Sequence, residues 1–281
     1  MGAPAKSKHL PQGIKIVHED ATLIVVDKAP GLLTIGTEKE RINTVYFRLT
    51  DWVRKGNTKS RNRVFIVHRL DRETSGLLVI AKTFEAKSLL QDHWDETEKK
   101  YYAVVQGNLS QTTGRFSSYL YEGSALKVHS TRDPREGKIA HTDYRVVKEI
   151  DGRSLLELTL LTGRKHQIRV HLAEAGYPIL GDDKYGPAKQ AEKRLALHAF
   201  ALRFNHPATG QRMEFETKLP AHFERLMLAA TAGAAKPAPV AKATAGGKVA
   251  SVAKVAPVTK PSSATKPTPT KKSALAARRP R

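Results

Sequence analysis

Val67-His68-Arg69-Leu70-Asp71-Arg72-Glu73-Thr74-Ser75-Gly76-Leu77-Leu78-Val79-Ile80-Ala81 is the stretch whose reading decides the fold. Its apolar second half, Leu77 to Ala81, reads as a buried strand. Ahead of the strand lies a charged turn in which Asp71 stands between Arg69 and Arg72, followed by the short turn formers Thr74, Ser75 and Gly76. A carboxylate held in a tight turn beside a buried strand is well placed to act as a rigid functional group. The plainer alternative is a charged loop leading into a core strand.

Working outward, the 281 residues suffice for one sizeable domain or two small ones, and 40% hydrophobic content supports a packed core. There is no cysteine, which excludes disulfides, zinc fingers and thiolate chemistry and fits a reducing compartment. Forty-eight Lys and Arg against 27 Asp and Glu leave a net charge of +21. Such an excess favours a polyanionic partner, nucleic acid first and an anionic membrane second. No apolar run approaches the ~20 residues of a membrane span. Met1 to Gly13 lacks the apolar core of a secretory signal. The expectation is a soluble, cytoplasmic protein.

The signature His68-Arg69-Leu70-Asp71, continued by Thr74-Ser75-Gly76-Leu77-Leu78, resembles the catalytic motif of the RluA-type family of RNA pseudouridine synthases. Other blocks resemble the same family. Lys28-Ala29-Pro30-Gly31-Leu32 is similar to its first motif, with the proline one place later. Lys99-Lys100-Tyr101-Tyr102-Ala103-Val104-Val105-Gln106-Gly107 is similar to its tyrosine strand, with Tyr101 at the family's tyrosine and Lys99 at its lysine. Thr162-Gly163-Arg164-Lys165-His166-Gln167-Ile168-Arg169-Val170-His171-Leu172 is similar to its third motif. Tyr177 to Gly186, Leu197-His198-Ala199 and Phe204 to Gly210 extend the resemblance, which runs from about Ile14 to about Leu226.

From the residues alone the fold class is mixed α/β, with many short strands and few helices. The resemblance implies a pseudouridine synthase fold (α+β), in which helices and loops flank a mixed, mainly antiparallel sheet with a central active-site cleft. The expected domains are an N-terminal extension at 1–13, a catalytic domain at 14–228 without an N-terminal S4 module, and a basic tail at 229–281. The tail holds eleven Lys and Arg, no acidic and no aromatic residue, and reads as disordered. Removing it leaves +10 on the remainder, so the body is basic by itself.

Local signals place strands on either side of Glu19-Asp20, a type II turn at Pro30-Gly31, and a helix over 43–54 followed by a basic loop over 55–63. They place a second helix over Phe84 to Glu98, capped by Thr83, with Trp94 in the core rather than in a base-stacking platform. The segment from Gly114 to Arg145 reads as hydrophilic and turn-rich. Strands from Lys138 and from Ser154 join at an Asp151-Gly152 hairpin turn. A helix starts near His166 and stops at Gly176. His198 reads as a core histidine, and Asp182 and Lys184 either as structural or as reaching RNA.

The resemblance implies an isomerase that breaks the N1–C1′ bond of a uridine, turns the base and rejoins it through C5. No redox change and no net hydrolysis occur, so no cofactor and no metal are expected. His166 and His171, five apart with no acidic ligand, do not suggest a zinc site. By resemblance Asp71 is the nucleophile or its equivalent, Arg169 its cationic partner with Arg164 the alternative, and Tyr101 stacks on the base or assists removal of the C5 proton. His68, Arg69, Arg72, Thr74, Arg164, His166 and Gln167 are expected to bind substrate. Ordinary glycosidases need a second acid to activate water. Here Glu73, two residues from Asp71, falls where the family varies. The expected partner is ribosomal or transfer RNA, bound by a monomer with the target base extruded. The rivals are a non-catalytic RNA- or ribosome-binding protein and a nucleoside or glycoside hydrolase.

Overall fold

Leu23–Lys28 (β2) and Ser75–Ala81 (β4) are buried along nearly their whole length, so both faces of each must be covered. The computed structural model describes residues 11–124 and 127–228. The expected tail at 229–281 and most of the expected N-terminal extension lie outside the described residues.

The remaining strands are Ile14–Glu19 (β1), Phe65–Ile66 (β3), Glu98–Gln106 (β5), Thr113–Glu122 (β6), Val128–Thr131 (β7), Lys138–Ile150 (β8), Arg153–Leu160 (β9), Leu197–Asn205 (β10) and Arg212–Glu216 (β11). They form one 11-stranded sheet in the order β1-β2-β4-β10-β5-β9-β8-β6-β7, with β3 on β4 and β11 on β10. Among the described strands every pairing is antiparallel except that of β4 with β10, where Ser75 faces His198 and Gly76 faces Ala199. This is the expected mixed, mainly antiparallel sheet.

Period-2 alternation sends successive side chains to opposite cores. Ile24, Val26, Leu78 and Ile80 join Tyr101, Ala103, Leu156 and Leu158 in the larger core. Helices Val45–Arg54 (α1), Gln167–Glu174 (α3) and Ala221–Leu226 (α4) add Val45, Leu49, Ile168, Leu172 and Phe223 to it. Leu23, Val25, Leu77 and Val79 point the other way, against Ala86 and Leu90 of Phe84–Asp92 (α2) and against Leu202 and Phe204.

Three local expectations need correction. The helix opened by Thr83, whose hydroxyl accepts from the Ala86 amide, ends at Asp92 and not at Glu98. A 3-10 turn over Trp94–Glu96 then reverses the chain so that β5 begins at Glu98. The segment from Gly114 to Arg145 is not mainly turns but holds β6, β7 and the start of β8. These strands form the end of the sheet with most side chains at least partly exposed, so they lack an apolar run. The basic loop over 55–63, which its place just ahead of the signature stretch sets beside the Asp71 turn, contributes no residue to the cavities at that turn. Lys55, Asn62 and Arg63 instead line a separate cavity of about 650 Å³ with Glu19, Trp52 and Lys82.

The β8–β9 turn is as expected, with Asp151 at φ 48° and Gly152 at φ 69°. No helix among the described residues is long and apolar enough to cross a membrane.

Candidate active site

The turn that carries Asp71 is fixed from below by the segment after β2. Thr34 Oγ1 donates to the Leu70 carbonyl at 2.8 Å and accepts from the Leu70 amide at 3.1 Å. The Gly31 amide donates to the Arg72 carbonyl at 2.8 Å, from the left-handed φ of 84° that the Pro-Gly turn supplies. Lys28, fully buried, donates to the carbonyls of Ala29, Leu32 and Arg72. Burial pushes this ammonium down to about 8, with Glu73, Asp71 and Asp27 opposing the shift. On the downstream side the Thr74 amide closes the turn onto the Asp71 carbonyl at 3.2 Å.

Gly76 then brings the backbone against β10. Its φ is 115°, and a Cβ there would lie 2.1 Å from the Ala199 carbonyl oxygen. Beside it the Ser75 hydroxyl meets His198 Nδ1 at 2.8 Å, and His198 Nε2 meets the Thr217 hydroxyl at 2.8 Å. His198 is thus the core histidine expected.

Above the turn opens a cavity of about 360 Å³, within the range of small-ligand sites. Asp71, Thr74, His68, Arg69, Trp94, Lys99, Tyr101, Arg164, His166, Gln167 and Arg169 all contribute to its lining, with Val67, Leu70, Leu160, Ile168 and Leu197 as apolar wall. A second cavity of about 540 Å³ lies against the same turn and shares Arg69, Leu70, Asp71, His166 and Arg169, adding Arg72, Ile35, Thr37 and Lys184. The Asp71 side chain is 18% exposed, so its carboxylate is reachable while largely desolvated.

Arg169 Nη1 stands 3.4 Å from Asp71 Oδ2, a long ion pair. The guanidinium's main partner is Asp182. Arg169 Nε donates to Asp182 Oδ2 at 2.8 Å and Nη2 to Oδ1 at 2.7 Å, with both side chains buried. The expected Asp71–Arg169 pair is therefore present, and Asp182 is a second, closer partner that the sequence reading did not name. A bidentate carboxylate fixes the guanidinium plane and leaves Nη1 to face Asp71. The Tyr185 ring lies 5.2 Å beneath the guanidinium carbon.

Tyr185 also orients His166. Its oxygen accepts from the Val128 amide and shares a hydrogen bond of 2.7 Å with His166 Nδ1. The ring's other nitrogen, Nε2, stands 3.8 Å from Asp71 Oδ2. Burial pushes His166 below its usual range, against the opposing pull of Asp71. Tyr101 is pushed above the usual phenol range by burial and by Asp71. His68 is pushed down to about 3 by burial and by Lys99, and its neutral Nε2 accepts from the Val79 amide at 3.1 Å.

The structure therefore brings Asp71, Tyr101 and Arg169 to one cavity, with His68, Arg69, Thr74, Arg164 and His166 around it. Arg72 opens only to the larger cavity. Arg164 is exposed and its Nε donates to the Ile139 carbonyl, so it is not the cation beside Asp71. Gln167 needs the plainest correction. Its Oε1 accepts from Thr162 and from the Arg164 amide, and its Nε2 donates to the His141 carbonyl and to Thr142. With those bonds filled it supports the α3 entry rather than offering its amide to a ligand.

Trp94 packs against the smaller core, as expected, and its half-buried ring also reaches the cavity wall, 4.4 Å from that of His68 at an interplanar angle of 33°. Strand alternation separates the two tyrosines as expected, and Tyr102 stacks on Phe200 on the opposite face at 3.8 Å. The sequence reading missed Tyr185, Thr34 and the positions of Lys28 and Lys99. An unbroken Gly-Asp-Asp-Lys-Tyr run was the only signal for the first.

A cavity with one largely desolvated carboxylate, a locked cation and a tyrosine, beside the parallel junction of a mixed sheet, has the groups of an enzyme's active site. The family model described as RNA pseudouridylate synthase matches residues 22–174, which include the Asp71 turn, β5 and α3. The chain is 38% identical over 228 residues to the uncharacterized RNA pseudouridine synthase YlyB of Bacillus subtilis, covering 77% of this chain and 73% of that protein. It is 35% identical over 223 residues to ribosomal large subunit pseudouridine synthase D of Neisseria meningitidis serogroup A, covering 75% of this chain and 59% of that one. Among solved structures, human RNA pseudouridylate synthase domain containing 4 superposes with a TM-score of 0.60 at 27% identity, over 74% of this chain and 90% of that one. Human RNA pseudouridylate synthase domain containing 1 gives 0.59 at 26%, over 74% and 84%. The chain belongs to the RluA-type family of RNA pseudouridine synthases, isomerases that convert uridine to pseudouridine within RNA.

Proposed function

We propose that this protein isomerises chosen uridines of structured ribosomal or transfer RNA, with Asp71 as the attacking carboxylate. The observation that carries the reading is the 18% exposure of that carboxylate at a 360 Å³ cavity, with Arg169 Nη1 at 3.4 Å. The Arg169 guanidinium gives that carboxylate a cationic neighbour and a fixed direction, as a nucleophile needs.

The target base leaves its stack, at a cost of a few kcal/mol, and enters the cavity. Arg69, at the rim of both cavities, fills the vacated space or holds a phosphate. Tyr101 packs against the base. The Asp71 carboxylate answers the electron-poor sugar as N1–C1′ breaks, the base turns, and C5 bonds to C1′. Phosphate contacts from a body of net charge +10 offset extrusion. The chemistry is an isomerisation and asks for no cofactor or metal, and a monomer in the cytoplasm suffices for it. Relatives named for the large ribosomal subunit make its RNA the first substrate to test.

Tritium release from RNA labelled at uridine C5 is the test. Wild-type protein releases label and Asp71→Asn does not, at unchanged RNA affinity. Near-wild-type release by the variant removes Asp71 as the catalyst. Absence of release by the wild type, on RNA from cells lacking the gene, removes the function.

A further inference from the structure

Two lysines are buried close to the site, and they are used differently. Lys28 has three carbonyl partners behind the turn. Lys99 is 7% exposed, two residues before Tyr101 on the same face of β5, and lines the cavity that holds Asp71. Its Nζ donates to the Trp94 carbonyl at 3.0 Å and lies 5.3 Å from the Trp94 ring centroid. Among the described residues it has no ion-pair partner. An ammonium carries three donors, so two are left for an occupant of the cavity.

The chemistry at Asp71 accounts for charge on the sugar and leaves the base unattended. When N1–C1′ breaks, the bonding pair goes with the base. The result is a uracil anion whose charge spreads from N1 onto O2 and O4. After the base turns, C5 gives its electron pair to C1′, the C5 proton leaves and N1 gains a proton through solvent, so nothing is gained or lost overall. The negative charge on the base is transient, and no other buried cation faces it from the β5 wall.

We propose that Lys99 is a further catalytic residue, whose ammonium donates to the carbonyl oxygens of the departing uracil anion. This rests on the isomerase reading above. A preorganised charged donor aimed at charge that develops only during reaction raises kcat rather than affinity. Trp94 holds the ammonium in place at the cavity wall, through its carbonyl and its ring face.

Burial pushes Lys99 down to about 8, with Asp95 opposing, so the cationic form required here is lost above about pH 8. The other charged and titratable groups around the cavity are His68, Arg69, Asp71, Tyr101, Arg164, Lys165, His166 and Arg169. His68 is held near 3 and His166 below its usual range, while Tyr101 is held above its own. Lys28, behind the Asp71 turn, is also held near 8, so an alkaline limb there reports Lys99 through the part of it that the Lys99 variants remove.

The test compares kcat and KM for pseudouridine formation in Lys99→Met and Lys99→Gln against pH. Gln keeps a donor for the Trp94 carbonyl and loses the charge. Both variants are expected to lose about 10²-fold in kcat with KM within about twofold, and with it the part of the limb near pH 8 that Lys99 carries. A Gln variant within about threefold of wild-type kcat, or a limb unchanged in both variants, overturns the assignment. Should neither variant fold, Lys99→Arg decides, because it keeps the charge and does not titrate. A ratio of kcat at about pH 9 to kcat at about pH 7 that rises above the wild-type ratio supports the assignment, and an unchanged ratio overturns it. A wild type that forms no pseudouridine at all sinks the isomerase reading, whereas an active wild type with unimpaired Lys99 variants sinks only this one.

Discussion

Asp182→Asn separates what holds the site together from what reacts in it. Asp182 is 1% exposed and accepts four hydrogen bonds, from Arg169 Nε at 2.8 Å, Arg169 Nη2 at 2.7 Å, and the amides of Lys184 and Tyr185 at 3.0 Å. Asparagine in the same rotamer keeps the three bonds to Oδ1 but turns an N–H toward the Arg169 Nε–H. One strong bond is lost, and a buried guanidinium loses its balancing charge. Removing one partner of a buried pair costs about 3–5 kcal/mol, and the retained bonds place this variant near ~3. For a domain of this size ~1 kcal/mol shifts Tm by about 2–4 °C, giving a fall of about 6–12 °C. The released guanidinium has Asp71 as its next carboxylate at 3.4 Å, with Asp183 at 3.6 Å on an exposed side chain. It closes on Asp71 and occupies the oxygen that should attack, so kcat falls about 10²-fold with RNA affinity retained. Thermal melting and tritium release measure the two effects. A variant with Tm within about 2 °C of wild type and unchanged kcat would refute the reasoning, because Arg169 would then not depend on Asp182.

Two further outcomes follow from particular contacts. Gly76→Ala places a Cβ 2.1 Å from the Ala199 carbonyl oxygen at φ 115°, and is expected to cost more than about 4 kcal/mol; a soluble variant melting near the wild-type temperature contradicts this. His171 and His198 are both pushed down to about 4 by burial, and each ring meets hydroxyls on both nitrogens. Their folded values lie below the ordinary 6.5, so the unfolded chain binds more protons between these limits. Their contribution is complete above about pH 6.5 and is lost as pH falls toward 4. Melting curves from pH 4 to 8 check this, and His198→Gln should flatten the slope over the same interval.

Much of this architecture was legible because local and tertiary signals agreed. The Leu77–Ala81 run could only be a strand covered on both sides, and Asp151-Gly152 demanded the left-handed turn it forms. What escaped did so for physical reasons. β6 and β7 lie at the end of the sheet with polar side chains on both faces, so they carry no periodic apolar signal. Trp94 falls at helical spacing from Leu90, yet the helix ends at Asp92 and Trp94 opens a separate 3-10 turn that leads into β5. At the site, motif residues announced themselves by type, but partnership did not. Nothing in the string joins Arg169 to Asp182 as well as to Asp71, since one lies in a later loop and the other 98 positions earlier. Gln167 was misread because a polar residue in a motif looks the same whether it faces a ligand or its own backbone.

The parallel contact between β4 and β10 joins positions 123 apart, Ser75 to His198, and sets Gly76 between Ala199 on one side and Lys28 of β2 on the other. Contacts of such separation are slow to form. While the chain is still being synthesised, Asp71 and Arg169 emerge well before β10, and the bond from Thr217 to His198 comes later still. The scaffold behind the reacting groups therefore closes only as translation nears the end of the described domain. Nascent or truncated products lacking Leu197–Asn205 would carry every motif residue from His68 to Arg169 and yet be inert.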